Sequence, residues 1–404
     1  MQTALQEALF RCNKCGSCTA TCPLYEQTKQ EGMAARGKLA LVEAALEGNL
    51  PVTPALRDRL SDCLLCGACK VSCPSAVPTT AIFEAARAEV AEKLGLPLWQ
   101  KAFLFALDSP SLLGVATRTG GLVQQTGLLS FAPPIARCPY RSRRLPNLTG
   151  EQAKATVAFF VGCLMNTVYA DVAEATHRVL VHNGYRVETP AVGCCGMPNR
   201  GMGDREGARR LARQNIDALA RYETVVTDCA TCGSALKEYG ALLADDPAYA
   251  ERAKGLAGRV YDIAEFLVRF GYEPPAGELP VRVTYHESCH LGREQKVKAQ
   301  PRQLLRSIPG LDFVEMSGAD ACCGGGGSFA FTHPELGRQV GAAKGESIEA
   351  TGAPIVATGC PGCSVQLRNL LRHQGSTAVV RHPVQLLATS YGRMATIPSG
   401  SIIS

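Results

Sequence analysis

The sequence predicts an α+β protein of several domains, an all-helical N-terminal domain followed by two duplicated α/β domains. Three observations predict it. Two C-x2-C-x2-C-x3-C-P runs lie near the N-terminus, joined by residues at helical spacing. Downstream, one arrangement of five cysteines occurs twice. Around each occurrence, apolar strands alternate with amphipathic helices, the grammar of a parallel sheet with right-handed crossovers. The 404 residues are enough for two or three domains, and 46% are hydrophobic and 19% charged, a globular composition.

The first run, "CNKCGSCTATCP", supplies Cys12, Cys15, Cys18 and Cys22, and the second, "CLLCGACKVSCP", supplies Cys63, Cys66, Cys69 and Cys73. The spacing lets three thiolates reach three irons from one loop. It is the bacterial [4Fe–4S] run, and in two-cluster proteins the fourth cysteine of each run ligates the other cluster. One cluster is therefore expected on Cys12, Cys15, Cys18 and Cys73, and the other on Cys63, Cys66, Cys69 and Cys22. Gly16 and Gly67 let the backbone wrap a cube, while Pro23 and Pro74 redirect the chain after the last ligand. Zinc, the rival metal, prefers two spaced C-x2-C pairs. Between the runs, "ARGKLALVEAALEGN" reads as a helix that stops at Gly48-Asn49. After them, "TTAIFEAARAEVAEKLG" reads the same way, with Thr79 or Thr80 as N-cap and Gly95 as stop. Residues 1–95 thus form an all-helical ferredoxin-like domain with two [4Fe–4S] clusters, and 96–153 a helical or irregular linker.

The repeated arrangement is Cys163, Cys194-Cys195-Gly196 and Cys229-x2-Cys232, then Cys289, Cys322-Cys323-Gly324 and Cys360-x2-Cys363. Matching cysteines keep a nearly constant offset, which marks an internal duplication. Each copy has an apolar strand ending in the first cysteine, "TVAFFVGC" or "VRVTYHESC", and then a helix. A second extended segment leads into the cysteine pair, another helix follows, and a third strand ends in C-x2-C. The two CCG domains are expected over 154–278 and 279–396. In such sheets ligands sit outside the carboxyl ends of the strands, where all three cysteine positions fall. Five thiols then converge on one spot per copy, one more than a cubane needs. The glycines of "CCGGGGSF" would let the backbone hug an inorganic core or leave room for a second ligand, and "CCGMPNRG" is less glycine-rich, so the two sites are not expected to be equivalent.

Several features exclude other readings. The net charge of +6 is too small and dispersed for nucleic acid. Nineteen cysteines in a long chain, with no basic and apolar leader in "MQTALQEALFRC", point to metal-bound thiolates in a reducing cytoplasm. The least charged stretch, 119–136, is broken by Gly, Gln and Pro and is not read as a transmembrane helix. "HESCH" at 286–290 matches the zinc-protease pattern H-E-x-x-H, but it closes a strand, so its polar groups are read as neighbours of a cluster. A weaker hypothesis makes His286 or His290 a proton donor there. Cys138, beside Arg137, Arg141, Arg143 and Arg144, is read as a linker cysteine. That basic run could dock an acidic flavoprotein or anionic lipid, and the apolar segment 96–135 could face a partner, a membrane or a neighbouring domain. No Rossmann fingerprint or phosphate loop is found.

Over essentially its whole length the chain resembles the glycolate oxidase iron–sulfur subunit family. It is similar to the iron–sulfur subunits of D-lactate dehydrogenases and of anaerobic glycerol-3-phosphate dehydrogenase. Its CCG domains resemble the heterodisulfide reductase catalytic subunit, where five such cysteines bind a noncubane [4Fe–4S] cluster that cleaves a disulfide. The resemblance implies one further cluster on Cys163, Cys194, Cys195, Cys229 and Cys232 and another on Cys289, Cys322, Cys323, Cys360 and Cys363. It also implies a separate FAD-containing subunit that oxidises a 2-hydroxy acid, glycolate or D-lactate, while this chain passes electrons to a quinone or another acceptor. The expected location is the cytoplasm, with peripheral association at the inner face of the membrane allowed. Some glycolate oxidase subunits lack part of the five-cysteine sets. Both are complete here, which strengthens metal binding and weakens the particular label "glycolate". The alternative is a heterodisulfide-reductase-like enzyme. A non-redox metal scaffold is disfavoured by the eight N-terminal cysteines.

Overall fold

The structure, a computed structural model, describes residues 3–109, 112–115, 119, 140–142, 145–149, 152–327 and 329–392. Cys138, its arginine neighbours 137, 143 and 144, and most of the apolar segment 96–135 lie outside the described residues.

The described residues before the first strand form only helices and turns. Ala35–Leu46 is the helix expected between the runs, and Gly48 follows it at φ +77°, the left-handed geometry of a helix stop. Thr79–Leu94 is the helix expected after them, with Gly95 as its stop. Its N-cap is Pro78, not a threonine. The Thr79 hydroxyl is turned instead to the Cys69 Sγ, 3.0 Å away. Leu39, Val42, Leu60, Ile82 and Phe83 build the core between these helices. Each such buried side chain contributes roughly 1.5–3 kcal/mol.

The duplicated part forms two four-stranded parallel sheets. The strands are β1 (Ala155–Phe159), β2 (Tyr185–Glu188), β3 (Val225–Thr227), β4 (Val260–Asp262), β5 (Arg282–Tyr285), β6 (Asp312–Phe313), β7 (Ile355–Ala357) and β8 (Val379–Arg381). The orders are β2-β1-β3-β4 and β6-β5-β7-β8, the same topology twice. The central strands are buried, apolar and β-branched, as strands covered on both faces must be. β4 and β8 are the fourth strands that the three-strand sequence reading omits. Each has three residues and runs directly into a helix capped by its last or next residue, Asp262 or His382. In both sheets the chain turns to one side after the first strand and to the other for the third and fourth. The switch point therefore lies between β1 and β3, and between β5 and β7. A crevice is expected at the carboxyl ends there.

Two compact units result. One gathers Met1–Leu104, Gly196–Ala208 and Ala321–Gly345, and the other gathers Phe105–Cys195, Arg209–Asp320 and Glu346–Ser404. The segment behind each cysteine pair thus belongs with the N-terminal helices rather than with its own sheet. Arg200 in the first such segment pairs with Glu84 at 2.6 Å. Phe329 and Val340 in the second pack on Leu24 and Leu64.

Candidate functional site

In the first unit the two cysteine runs fold alike. Gly16 and Gly67 cap their short helices at φ +86° and +70°, and Lys14 and Leu65 hold the same left-handed geometry two residues earlier. The runs lie face to face, with the Thr21 and Ser72 hydroxyls 3.0 Å apart. Cys22, Cys63, Cys66 and Cys69 line one cavity, so the last cysteine of the first run joins the first three of the second. Burial pushes the thiols of Cys22 and Cys69 above their ordinary range. In the other run, Cys12 and Cys15 act electrostatically on Cys18. Cys12, Cys18, Cys63, Cys69 and Cys73 all lie against one core.

The donor chemistry suits metal–sulfur groups. None of the described cysteines is in a disulfide. Backbone N–H groups point at sulfur in the second run, Leu65 at Cys63 Sγ (3.5 Å) and Val77 at Cys73 Sγ (3.4 Å). Such bonds hold a thiolate in its ionised, metal-binding form.

One buried cation, Lys38, lines this cavity, and a second, Arg87, reaches the backbone of Cys63. Lys38 is fully buried, and its Nζ donates to the carbonyls of Gly32 (2.9 Å) and Met33 (2.7 Å). The Arg87 guanidinium donates to the carbonyls of Leu60 (2.7 Å), Cys63 (2.9 Å) and Gly201 (2.7 Å). Burial lowers the Lys38 pKa, opposed by the thiolates of Cys63 and Cys22.

Cys322 also belongs to this unit, and its thiol hydrogen-bonds Cys323 and Cys66. Of the glycines behind it, Gly324 and Gly326 leave no room for a side chain. Gly326 has φ +50°, and a Cβ there would lie 2.6 Å from Leu64 Cδ2. At that position the backbone approaches a protein side chain closely.

In the second unit the first five-cysteine set converges. Cys163 hydrogen-bonds Cys194, Cys194 bonds Cys195, Cys195 bonds Cys232, and Cys232 bonds Cys229. Cys163 and Cys229 follow β1 and β3 at the switch point. The hydrogen bond to Cys194, and then burial, push Cys163 well up. Hydrogen bonds from Cys194 and Cys232 bring Cys195 down to about 6. A Cβ at residue 162 would lie 2.7 Å from Cys232 Sγ, so only glycine fits beside this sulfur.

Of the second set, Cys289, Cys360 and Cys363 lie in this unit. The Cys363 hydrogen bond holds Cys360 down at about 5, with help from Thr231. His286 is 1% exposed, neither ring nitrogen has a hydrogen-bond partner, and one of them lies within 4.8 Å of Cys363 Sγ. His286 follows β5 ahead of the π-helical turn His290–Glu294, so the two histidines of H-E-x-x-H do not share a helix face.

A family model described as a 4Fe-4S dicluster domain matches residues 8–77, and one described as a cysteine-rich domain matches 157–237 and 283–368. Over 95% of its length the chain is 32% identical to the probable glycolate oxidase iron–sulfur subunit of Bacillus subtilis, covering 94% of that protein. The chain belongs to the glycolate oxidase iron–sulfur subunit family. The Escherichia coli glycolate oxidase iron–sulfur subunit is 30% identical over 94% of this chain and 93% of its own length. A fumarate reductase (CoM/CoB) subunit from Methanothermobacter marburgensis is 32% identical, over 94% of this chain and 72% of that protein. A solved structure of a hypothetical protein from Helicobacter pylori shares the fold, with a TM-score of 0.61 at 10% identity, covering 98% of this chain and 74% of that one.

In this iron–sulfur subunit several supporting residues escaped the motif reading. Asn215 accepts from Gly193 N (2.9 Å) and donates to the Cys194 carbonyl (2.9 Å), while the Tyr239 hydroxyl donates to the Cys195 carbonyl (2.9 Å). Arg141, read from sequence only as a neighbour of Cys138, donates to the carbonyls of Val161 (2.8 Å) and Val192 (2.9 Å), ahead of Cys163 and Cys194. Their sequence signal is a polar residue within an otherwise apolar helix face, visible for Asn215 in "RQNIDAL" but not specific. Leu98, Trp99 and Phe105 on the helix Leu98–Asp108 are exposed. Among the described residues no helix is long and apolar enough to cross a membrane.

Proposed function

We propose that this chain is the electron-transfer subunit of a flavin-linked 2-hydroxyacid dehydrogenase, taking electrons from an FAD-containing partner and passing them to a quinone or another acceptor. The observation that carries the reading is the cavity lined by Cys22, Cys63, Cys66 and Cys69, a crossed four-thiol cage. Such a cage suits a [4Fe–4S] cluster, and Cys12, Cys15, Cys18 and Cys73 would hold its twin. When bound, these groups accept and release one electron at a time. The protein's part is to supply the thiolates, to point N–H groups at their sulfurs and to exclude water by burial. The hydrogen-bonded thiols of Cys163, Cys194, Cys195, Cys229 and Cys232 support a further cluster in the first repeat. Repeat equivalence extends the assignment to Cys289, Cys322, Cys323, Cys360 and Cys363.

The test is iron and acid-labile sulfide per chain after anaerobic purification, followed by mixing with the flavoprotein and a 2-hydroxy acid. About eight irons or more, reduced only when flavoprotein and substrate are both present, is the expected result. Fewer irons, or reduction without the flavoprotein, would sink it.

A second reading, disulfide reduction at a five-cysteine centre, is favoured by the unbroken five-thiol chain and by the CoM/CoB name of one relative. Turnover of a disulfide by the isolated chain, with no flavoprotein, would decide for it.

A further inference from the structure

The two four-cysteine cages are built from the same motif but stand in different electrostatic surroundings. Beside Cys63, Arg87 is 9% exposed and its guanidinium is tied to the Cys63 carbonyl itself. Lys38, fully buried, lines the same cavity. The acids that act on these two cations make their own ion pairs elsewhere. Asp62 lies 3.3 Å from Arg59 and 3.0 Å from His333, and Glu84 lies 2.6 Å from Arg200. Beside Cys12, Cys15 and Cys18, Arg36 and Lys14 are less buried and are paired with acids. Arg36 forms two hydrogen bonds with Glu31 (2.7 and 3.0 Å), and Lys14, 62% exposed at its side chain, faces Glu43 at 3.4 Å.

We propose that Arg87 and Lys38 make the cage of Cys22, Cys63, Cys66 and Cys69 the more easily reduced of the two, so that an electron shared between them rests there. The inference rests on the reading that both cages hold [4Fe–4S] clusters. One electron added to either cage makes it one unit more negative, with no bond made or broken. A buried cation stabilises that added charge strongly, because little solvent screens it. An exposed, paired cation contributes little. Arginine keeps its charge at any working pH. Arg87 and Lys38 donate to backbone carbonyls and supply no ligand atom, so they would act as positioning and field-setting residues. Electrons entering this chain would then be drawn from the Cys12 cage towards the cage that adjoins Cys322.

The experiment is a dithionite titration of the full-length protein, with EPR reporting the midpoint of each reduced [4Fe–4S] signal. Iron is counted first, which tests the underlying reading separately. The signal altered by C69S identifies the buried-cation cage. In the unsubstituted protein that signal should have the higher midpoint. R87M and K38M should each weaken its reduction about tenfold, a fall of about 59 mV for one electron, and leave the other midpoint in place. R87K and K38R should restore it to within about threefold. If R87M fails to fold, K38M and the two conservative variants still decide. The inference is overturned if the C69S-sensitive signal has the lower midpoint, or if neither methionine variant moves it. It is also overturned if the charge-keeping variants shift it as far as the methionine ones. An iron count below about eight overturns the reading beneath it.

Discussion

The Thr231 hydroxyl lies 3.3 Å from the Cys360 Sγ, so the C-x2-C turn of one repeat hydrogen-bonds a cysteine of the other. Hydrogen bonds to a ligating sulfur raise the potential of the group it holds. T231V should leave the iron content unchanged and weaken reduction of the group at Cys360 by up to about tenfold, about 59 mV for one electron. Redox titration followed by EPR checks this. An unchanged spectrum and midpoint would remove Thr231 from the site.

Cys195 is the middle link in the five-thiol chain, bonded to both Cys194 and Cys232. C195S replaces a soft ligand by a hard one. Iron per chain should fall by about four, while the signals of the N-terminal cages persist. An iron count equal to that of the parent protein would show that this set holds no cluster.

Asn215 is fully buried and serves Gly193 N, Cys194 O and the Tyr239 hydroxyl at once. N215A leaves those groups without their partner in a dry site. The expected cost is about 2–4 kcal/mol, read from chemical denaturation. A loss under about 0.5 kcal/mol would mean that water or a rearranged loop replaces the amide.

His382 is buried, with its Nε2 3.1 Å from the Asp228 carbonyl and its Nδ1 accepting from Val384 N at 3.1 Å. Burial lowers its pKa to about 4. The unfolded chain, with an ordinary value near 6.5, binds the proton more readily. The neutral ring's contribution is therefore complete above about pH 6.5 and is lost as pH falls towards about 4. Relative to H382N, the parent protein should lose on the order of 2–3 kcal/mol across that window. Thermal unfolding of the two at matched pH checks the sign, and parallel pH profiles would contradict it.

The cysteine spacing made the eight N-terminal ligand candidates and both five-cysteine sets readable, because a metal cage needs thiols at short, fixed intervals. The duplication and the strand-end positions were readable for the same reason. β4 and β8 were not. Three residues such as "VYD" or "VVR" are too short to show a period, and they become strands only through pairing with β3 and β7. Pro78 as N-cap escaped because the usual cap residue next to it, Thr79, is engaged with Cys69. Lys38 and Arg87 were hidden in helices whose pattern says only amphipathic. Their role depends on burial beside the cysteines of the second run, which sequence distance does not reveal. The glycine run suggested room for an inorganic core or a second ligand. At Gly326 the partner is Leu64, a long-range contact that no local pattern specifies.

The carbonyls of Asp228 and Gly359 hold matching places, each just before the C-x2-C of its repeat. The first accepts from His382, and the second from Ala230 N at 3.0 Å, so each is capped by the opposite copy. The donors differ, a side chain one way and a backbone N–H the other, because the position that matches Ala230 is Pro361, which has no N–H. A single polypeptide here encloses what two separate one-repeat chains would have to find by collision. Fusion fixes their stoichiometry at one to one and replaces dilution by a tethered effective concentration. Once the halves are joined, each is free to diverge in sequence, as "CCGMPNRG" and "CCGGGGSF" have done, without risking a mismatched partner.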